Sequence, residues 1–279
     1  MVADAGMPAV AVTDTNNMFC ALEFSEYAVK AGVQPILGCQ IDLAYDVAPQ
    51  GERPRSPRGI VLLVKSEQGY LNLLKLNSHF YLRGDGQIPH VTLDELAAHH
   101  KGLICLSGGP EGPFGALLGA GQTAKAETLM KRLAEIFGDR LYVELQRHPI
   151  DGGLPEAEAL SEPHLIEMAY QMGLPLVGTN DVYFPKPKMY EAHDALICIA
   201  QGAYVDQQEP RRILTAQHYF KSPEEMVTLF ADLPEAIENT VEIAQRCAYR
   251  ARTHDPILPR FAENEVEELR RQANEGLKA

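Results

Sequence analysis

Short apolar runs alternate with helical patterns through the chain as far as Asp181. The runs are rich in Val, Ile and Leu with little polar alternation, which is typical of strands buried on both faces. These predicted strands are Ala9–Thr13, Pro35–Ala44, Ile60–Val64, Leu103–Leu106, Leu141–Leu145 and Leu174–Gly178. Helices are predicted between them at Met18–Ala31, Gln68–Tyr81, Ala124–Phe137 and Glu156–Met172. Thr92 and Glu95 have the spacing of a capping box that opens one more helix. This alternation predicts an α/β fold with a parallel sheet or barrel.

After Asp181 the pattern is helical and no further strand is predicted. The predicted helices are Tyr190–Ala200, Pro223–Ala231, Pro234–Arg246 and Glu263–Lys278. A polar stretch containing proline separates the first of them from the rest. We therefore divide the chain into a barrel over residues 1–201, a connector over 202–222 and a helical segment over 223–279. Both ends are abrupt, so we expect a piece of a longer polypeptide.

Two stretches repeat one pattern, Gly6–Asp14 and Gly173–Asp181. Each passes a Gly/Pro corner, runs through a short apolar stretch and places a carboxylate at the carboxyl end of a strand, where α/β folds hold ligands and metals. Other polar residues fall at the same end of the predicted sheet, namely Gln40, Glu144 and His148. Carboxylates and an imidazole at one end of the sheet could share divalent metal ions. The alternative is that these residues are ordinary helix caps and turn formers.

Charge and composition disfavour some classes of function, in particular direct binding of DNA. The net charge of −13 disfavours a primary DNA-binding surface, because such binding needs Lys and Arg against phosphates. The basic stretch Arg53–Arg58 contains prolines and is interpreted as a solvated loop rather than a phosphate contact. Five scattered cysteines, no long apolar run and no signal peptide favour a cytoplasmic protein. Gly108–Gly115 is interpreted as a turn-rich loop, because no Lys-Ser/Thr pair follows it.

Several phrases together resemble the polymerase-and-histidinol-phosphatase (PHP) domain of bacterial DNA polymerase III alpha subunits, most closely those of alphaproteobacteria. The matching phrases are Gly6–Asp14, Asn17–Phe24, Gly32–Cys39, Tyr142–His148, Asn180–Tyr183, Ala192–Ile199 and Leu258–Leu277. The resemblance implies a distorted (β/α)7 barrel, here lacking its first strand, followed by a helical segment that leads toward a polymerase palm. It also implies a polynuclear metal centre at the strand ends, where metal-activated water hydrolyses phosphoesters.

The implied ligand set is incomplete in this sequence. Asp14, Glu144, His148 and Asp181 match ligand positions of the family. Four further positions have lost their ligand and are occupied by Thr15, Gln40, Gly109 and Tyr183. Neutral oxygens and an absent side chain cannot replace imidazole, carboxylate or thiolate ligands. We therefore predict no catalytic residue and no cofactor, with at most one weakly held divalent ion.

In this family, inactive PHP domains remain as scaffold. The resemblance implies support for the polymerase III core and a docking surface for the separate proofreading exonuclease subunit. DNA would be contacted by a downstream polymerase region, so this segment is expected to lack the nucleotidyltransferase activity of a DNA-directed DNA polymerase. The alternative is a residual metal-dependent phosphoesterase or 3′–5′ exonuclease. The sheet edge left by the absent strand predicts poor solubility or self-association.

Overall fold

The computed structural model describes residues 1–45, 55–82, 88–151, 153–207, 214–256 and 258–278 of the 279-residue chain. Its strands form a single curled sheet. In chain order they are β1 (Ala9–Val12), β2 (Gln34–Ala44), β3 (Arg58–Val64), β4 (Val91–Thr92), β5 (Leu103–Leu106), β6 (Leu141–Gln146) and β7 (Leu176–Thr179). The spatial order is β1-β2-β3-β5-β6-β7, with β4 paired to β2. This α/β partial barrel agrees with the fold class predicted from the sequence.

Strand β3 corrects the expectation of a parallel sheet. It pairs antiparallel with both of its neighbours, whereas β1–β2, β5–β6 and β6–β7 are parallel. A parallel return to the sheet needs a crossover, usually a helix. The connection from β2 to β3 contains Pro49, Pro54 and Pro57. Because proline disrupts the interior of a helix, this sequence does not favour a crossover helix. The reversal brings the start of β3, with Arg58, to the edge where the parallel strands end.

Ten α-helices occur in the described residues. They are α1 (Ala21–Lys30), α2 (Glu67–Leu82), α3 (Leu93–His99), α4 (Pro113–Gly119), α5 (Thr123–Phe137), α6 (Glu156–Met172), α7 (Tyr190–Gln201), α8 (Pro223–Leu229), α9 (Pro234–Arg246) and α10 (Glu265–Gly276). Capping boxes open α3 at Thr92 and α8 at Ser222. Helix α4 corrects the interpretation of Gly108–Gly115 as a loop throughout, because Pro113 occupies the first helical turn.

Two apolar clusters cover the two faces of the sheet. The larger cluster joins one face to residues of α1–α6, with side chains such as Leu62, Phe114 and Met130 fully buried. The smaller cluster contains Ile36, Leu106, Tyr142 and Val177 from the strands, together with Ile243 and Cys247 at the end of α9. The sheet is therefore buried on both faces, as the continuous apolar runs predict.

Helix α9 lies across the second face and ties distant strands together. Asn239 donates to the carbonyl of Leu176 in β7 at 2.8 Å. Gln34 at the start of β2 donates to the carbonyl of Ala244 at 2.6 Å. Tyr142 of β6 donates to Glu242 at 2.8 Å. The boundaries predicted at 201 and 222 stay a prediction, and residues 208–213 of the connector lie outside the described residues.

None of the helices in the described ranges combines the length and apolar character needed to cross a bilayer. The five cysteines are all free. Burial raises the pKa of the Cys39 thiol to about 12, so this residue is an inert core thiol.

Candidate functional site

A cavity of about 160 Å³ opens where the parallel strands end and β3 begins. Its charged and amide side chains are Gln40, Asp42, Arg58, Glu111, Glu144, Gln146 and Asp181. Gly108, Gly109 and Gly112 contribute backbone to its wall. The cavity therefore combines four carboxyl groups with one guanidinium. Arg53 and Pro54 of the predicted basic loop lie outside the described residues, whereas Arg58 lines the cavity.

Glu144 is the buried centre of this site, with 2% of its surface exposed. Thr179 donates to it at 2.6 Å, the backbone N–H of Gly108 at 3.1 Å and Gln146 at 3.3 Å. Burial is the main reason that the pKa of Glu144 lies above its ordinary value, and Asp181 adds to the rise, while the three donors oppose it. The protein thus satisfies this carboxyl group by hydrogen bonds of its own.

The position beside Gly109 is filled by Gln146. A Cβ atom at residue 109 would stand 2.0 Å from the side-chain oxygen of Gln146. That amide also donates to Glu144, and it lies 3.4 Å from the hydroxyl oxygen of Thr179. An amide therefore occupies the space that a side chain at residue 109 would need.

Asp14 does not join the cavity. It is exposed, and it accepts a hydrogen bond from the thiol of Cys20 at 3.0 Å. Thr15 is exposed too and forms a parallel bridge with Gln40, which carries its backbone alongside β2. Of the two repeated carboxylates, only Asp181 lines the cavity.

His148 belongs to a separate buried cluster. Its Nδ1 lies 2.7 Å from the carboxylate of Glu158, whose other oxygen accepts from the backbone N–H of His148 at 2.8 Å. Its ring stacks on His218 at a centroid distance of 3.8 Å and an angle of 1°. The Nε2 atom of His148 is buried without a hydrogen-bond partner. A carboxylate that orients one imidazole nitrogen while the other stays open is the arrangement seen in many metal-ligating histidines.

The stacked partner cannot complete such a site. Imidazole lone pairs lie in the plane of the ring, and metal–nitrogen distances are about 2.0–2.1 Å. Two parallel rings separated by 3.8 Å therefore cannot direct lone pairs at one ion. His218 Nδ1 also accepts from the backbone N–H of Thr215 at 3.2 Å.

Tyr183 lies among aromatic rings next to this cluster. Its ring centroid is 5.5 Å from that of His193 and 6.0 Å from that of His218. His193 has a buried Nδ1 without a hydrogen-bond partner, and its ring also lies 5.5 Å from that of Phe184. His193 of α7 therefore packs against two aromatic rings.

The donor geometry does not fit a polynuclear metal centre. Among the described residues, no group of three or more His, Cys, Asp or Glu side chains is arranged to hold a metal ion. Glu144 is already satisfied by donors of the protein, and Asp14 bonds to Cys20 outside the cavity. The absence of bound metal itself stays a prediction, because metal content is a measured property.

Several residues of the site are not evident from the sequence. Glu158 and His218 meet His148 only through tertiary packing, and Arg58 enters the cavity only because β3 is reversed. Lys221 is 6% exposed, donates to Asn180 at 2.9 Å, and has its pKa lowered to about 8 by burial. Of these residues, only Thr179 could have been predicted from the sequence, because it directly precedes Asn180 and Asp181 at the end of a predicted strand.

A family model described as PHP domain matches residues 1–148, more than half of the chain. The chain belongs to this family. Over its whole length it is 50% identical to the DNA polymerase III subunit alpha of Caulobacter vibrioides, of which it covers 24%. It is 43% identical over 98% of its length to the corresponding subunit of Rickettsia bellii and 40% identical over 93% to that of Pseudomonas aeruginosa. These alignments cover 22% and 21% of the two relatives. The chain therefore spans about a quarter or less of the curated relatives it matches.

Proposed function

We propose that this chain is the N-terminal PHP module of a replicative DNA polymerase III alpha subunit and serves DNA replication as part of that polypeptide. The observation that carries the proposal is the 50% identity to one such subunit over the full length of the chain. Relatives from Rickettsia and Pseudomonas align over nearly the same span.

We infer further that the module is catalytically degenerate. Three donors of the protein satisfy Glu144, and Gln146 fills the space beside Gly109. Asp14 lies outside the cavity and bonds to Cys20. In this reading the strand-end site is a hydrogen-bonded structural element, and neither the polymerase nor the phosphoesterase reaction takes place within this segment.

The proposed role is that of a scaffold in the polymerase III core and a docking surface for the proofreading exonuclease subunit. The net charge of −13 supports a protein partner over direct contact with DNA phosphates. DNA would be held by the polymerase region of the complete subunit. We propose on the same basis that the module acts in the cytoplasm.

The mass of the native polypeptide tests the assignment to the polymerase. An antibody against this chain should detect one product about four times the 30.8 kDa of the chain, as expected if it makes up 24% of the whole. A native product of 30.8 kDa would contradict the assignment.

Metal content and hydrolysis test the degeneracy. The purified polymerase should contain less than one zinc or manganese ion attributable to this module, and Asp181→Asn should leave phosphoester hydrolysis unchanged. Stoichiometric metal that is lost in the Asp181→Asn variant, together with lost hydrolysis, would refute the proposal. Asp206→Asn, an exposed carboxylate outside the cavity, is the matched control.

The docking role requires a separate experiment. The complete subunit should bind the purified exonuclease subunit, and deletion of residues 1–279 should abolish binding while the remaining polymerase region still extends a primer. Binding that survives this deletion would remove the docking role and leave the assignment to the polymerase intact.

A residual metal-dependent phosphoesterase or 3′–5′ exonuclease is the second candidate. One observation favours it, the open and buried Nε2 of His148 with Glu158 behind the ring. If a single ion binds there, His148→Asn should abolish metal binding and hydrolysis together. His164→Asn provides the control, because this histidine is an exposed residue of α6.

A further inference from the structure

The side chain of Gln146 lies between Gly109 and Glu144, two residues at positions where the PHP family has metal ligands. Its Nε2 atom is 3.3 Å from the carboxylate of Glu144 and 3.4 Å from the hydroxyl oxygen of Thr179. A Cβ atom at residue 109 would lie 2.0 Å from the side-chain oxygen of Gln146 and 2.8 Å from its Nε2. One amide group therefore fills the space beside Gly109 and also occupies a hydrogen-bonding direction of Glu144.

The nitrogen of this amide, and not its oxygen, faces Glu144. An ionised carboxylate only accepts hydrogen bonds. Thr179 already donates its hydroxyl hydrogen to Glu144 at 2.6 Å, so its oxygen is left to accept from Gln146. The amide NH2 group satisfies both acceptors at once. Its partly positive hydrogens thus stand beside the carboxylate, where a divalent cation would otherwise bind.

The amide of Gln146, and not the backbone, is what blocks a side chain at residue 109. Gly109 does not have a positive φ, whereas its neighbour Gly108 has a φ of 87°. The backbone at residue 109 is therefore open to residues other than glycine. The three atoms nearest to a Cβ at this position all belong to Gln146. Removal of this one side chain would open the position.

The place of the amide nitrogen is also a suitable place for an ion. Zinc lies about 2.3 Å from a thiolate sulfur and about 2.0–2.2 Å from a carboxylate oxygen. The nitrogen is 2.8 Å from the Cβ position at residue 109 and 3.3 Å from the Glu144 carboxylate. A thiolate at residue 109 and Glu144 can therefore reach one ion, and Asp181 of the same cavity can supply a further oxygen.

We propose that Gln146 excludes divalent cations from the strand-end cavity, because its amide fills the space of one ligand and forms a hydrogen bond to another. Gln146 is then the residue that determines the specificity of this cavity against metal. Loss of the ligand at residue 109 is only half of the change, since a cysteine placed there would collide with the amide. This inference rests on the proposed degeneracy of the module and supplies a physical cause for it.

Cobalt binding tests the proposal, because Co²⁺ substitutes for zinc and its bond to a thiolate gives a charge-transfer absorbance. The complete polypeptide that carries this chain is titrated unchanged, with Gly109→Cys, with Gln146→Ala and with both changes. The double variant should bind one Co²⁺ and show the thiolate band. Gly109→Cys alone should bind at least about tenfold more weakly, because the ion must first displace the hydrogen-bonded amide. Gln146→Ala alone should show no band.

The matched control is Gly109→Cys combined with Gln40→Ala. Gln40 is the other amide of the cavity, but it packs against Gly59 and not beside residue 109. This control should bind cobalt no better than Gly109→Cys alone. Thermal melting establishes that each variant is folded, and Gly109→Cys with Gln146→Ser provides a second double variant with the same readout.

Three results would decide against one or the other claim. Gly109→Cys that binds cobalt as tightly as the double variant would show that Gln146 does not exclude the ion. Folded double variants without a thiolate band would overturn the inference as well, while leaving the degeneracy intact. Stoichiometric cobalt in the unchanged polypeptide that is lost with Asp181→Asn would instead refute the degeneracy itself.

Discussion

Glu144 organises the strand-end cavity as a single residue. It is almost completely buried, and its three donors come from the β5–α4 turn, from β6 and from the end of β7. Burial raises its pKa, so the folded protein holds this proton more tightly than the unfolded chain does. Stability from this group is therefore highest at low pH and falls as the pH rises from about 4.3 to the raised pKa.

Thr179→Val tests this account. Loss of the 2.6 Å hydrogen bond leaves Glu144 short of a partner and should cost about 1–3 kcal/mol of unfolding free energy. The hydrogen bond from Thr179 lowers the pKa of Glu144, so its removal raises that pKa further. The loss of unfolding free energy should therefore be larger at about pH 8 than at about pH 5. Urea unfolding at the two pH values measures the difference. The control is Thr128→Val, at an exposed helix hydroxyl, which should change the unfolding free energy little at either pH. An equal loss of stability at both pH values for Thr179→Val would contradict the role given to Glu144.

Gly109 and Gln146 should be energetically coupled. A Cβ at residue 109 overlaps the amide end of Gln146, which is flexible and can turn away at the cost of its bonds to Glu144 and Thr179. Gly109→Ala and Gln146→Ala should each destabilise the protein by about 1 kcal/mol. The double variant should cost little more than either one, because both changes remove the same contacts. A double-mutant cycle by chemical denaturation measures this coupling, and simple additivity would show that Gln146 does not fill the space beside Gly109.

Arg147 joins three elements at the scale of helices and strands. It follows β6, and its guanidinium pairs with Glu162 of α6 at 2.7 Å and with Asp232 between α8 and α9 at 2.6 Å. It also donates to the carbonyl of Leu229 at 2.7 Å and lies 4.7 Å from the centre of the Phe230 ring. Helices α8 and α9 are thus fixed to the barrel by a planar fork of donors together with a buried aromatic ring.

Arg147→Met should destabilise the protein by about 3 kcal/mol, because it leaves the mostly buried carboxylate of Glu162 without its partner. The free energy of unfolding of Arg147→Lys should lie between those of the unmodified protein and Arg147→Met, because a lysine ammonium cannot form the paired contacts of a guanidinium. Thermal and urea unfolding check both variants. Arg132→Met removes an exposed ion pair with Glu135 and should cost no more than about 0.5 kcal/mol. Similar losses at the two arginines would show that Arg147 is not a clamp.

The elements predicted best from the sequence are those whose ends are marked by residues that favour the start or the end of a helix. Helix α6 begins at Glu156 and ends before Gly173, which adopts the left-handed conformation that favours glycine. Helix α4 was missed because its glycines and prolines are the residues of turns. The direction of β3 was missed because an apolar run has the same pattern in either orientation, and only the connection before it decides.

The candidate site was predicted less completely than the fold. Glu144 and Asp181, which the local pattern predicted at strand ends, both line the cavity. It could not separate Asp14 and His148 from them, because each lies at a strand end but makes its contacts elsewhere. Those contacts depend on where each side chain points beyond the end of its strand. No periodic pattern in the sequence predicts that direction.

At the scale of the whole chain, the sheet formed by the described residues has β1 at one edge and β7 at the other. Helix α9 covers part of β7, where Asn239 bonds to the carbonyl of Leu176. Strand β1 has β2 as its strand neighbour among the described residues, and its sequence Ala-Val-Ala-Val contains no charge or proline. Apolar edge strands without such residues favour pairing between chains, so the predicted self-association would take place through this edge.

Ala11→Lys tests self-association through β1. Residue 11 is exposed in β1, so lysine should be tolerated with no loss of thermal stability, and charged side chains on an edge strand oppose pairing with another chain. Open-ended aggregation through β1 should therefore decrease in this variant, as measured by light scattering at high concentration. Aggregation unchanged by Ala11→Lys would contradict association through this edge.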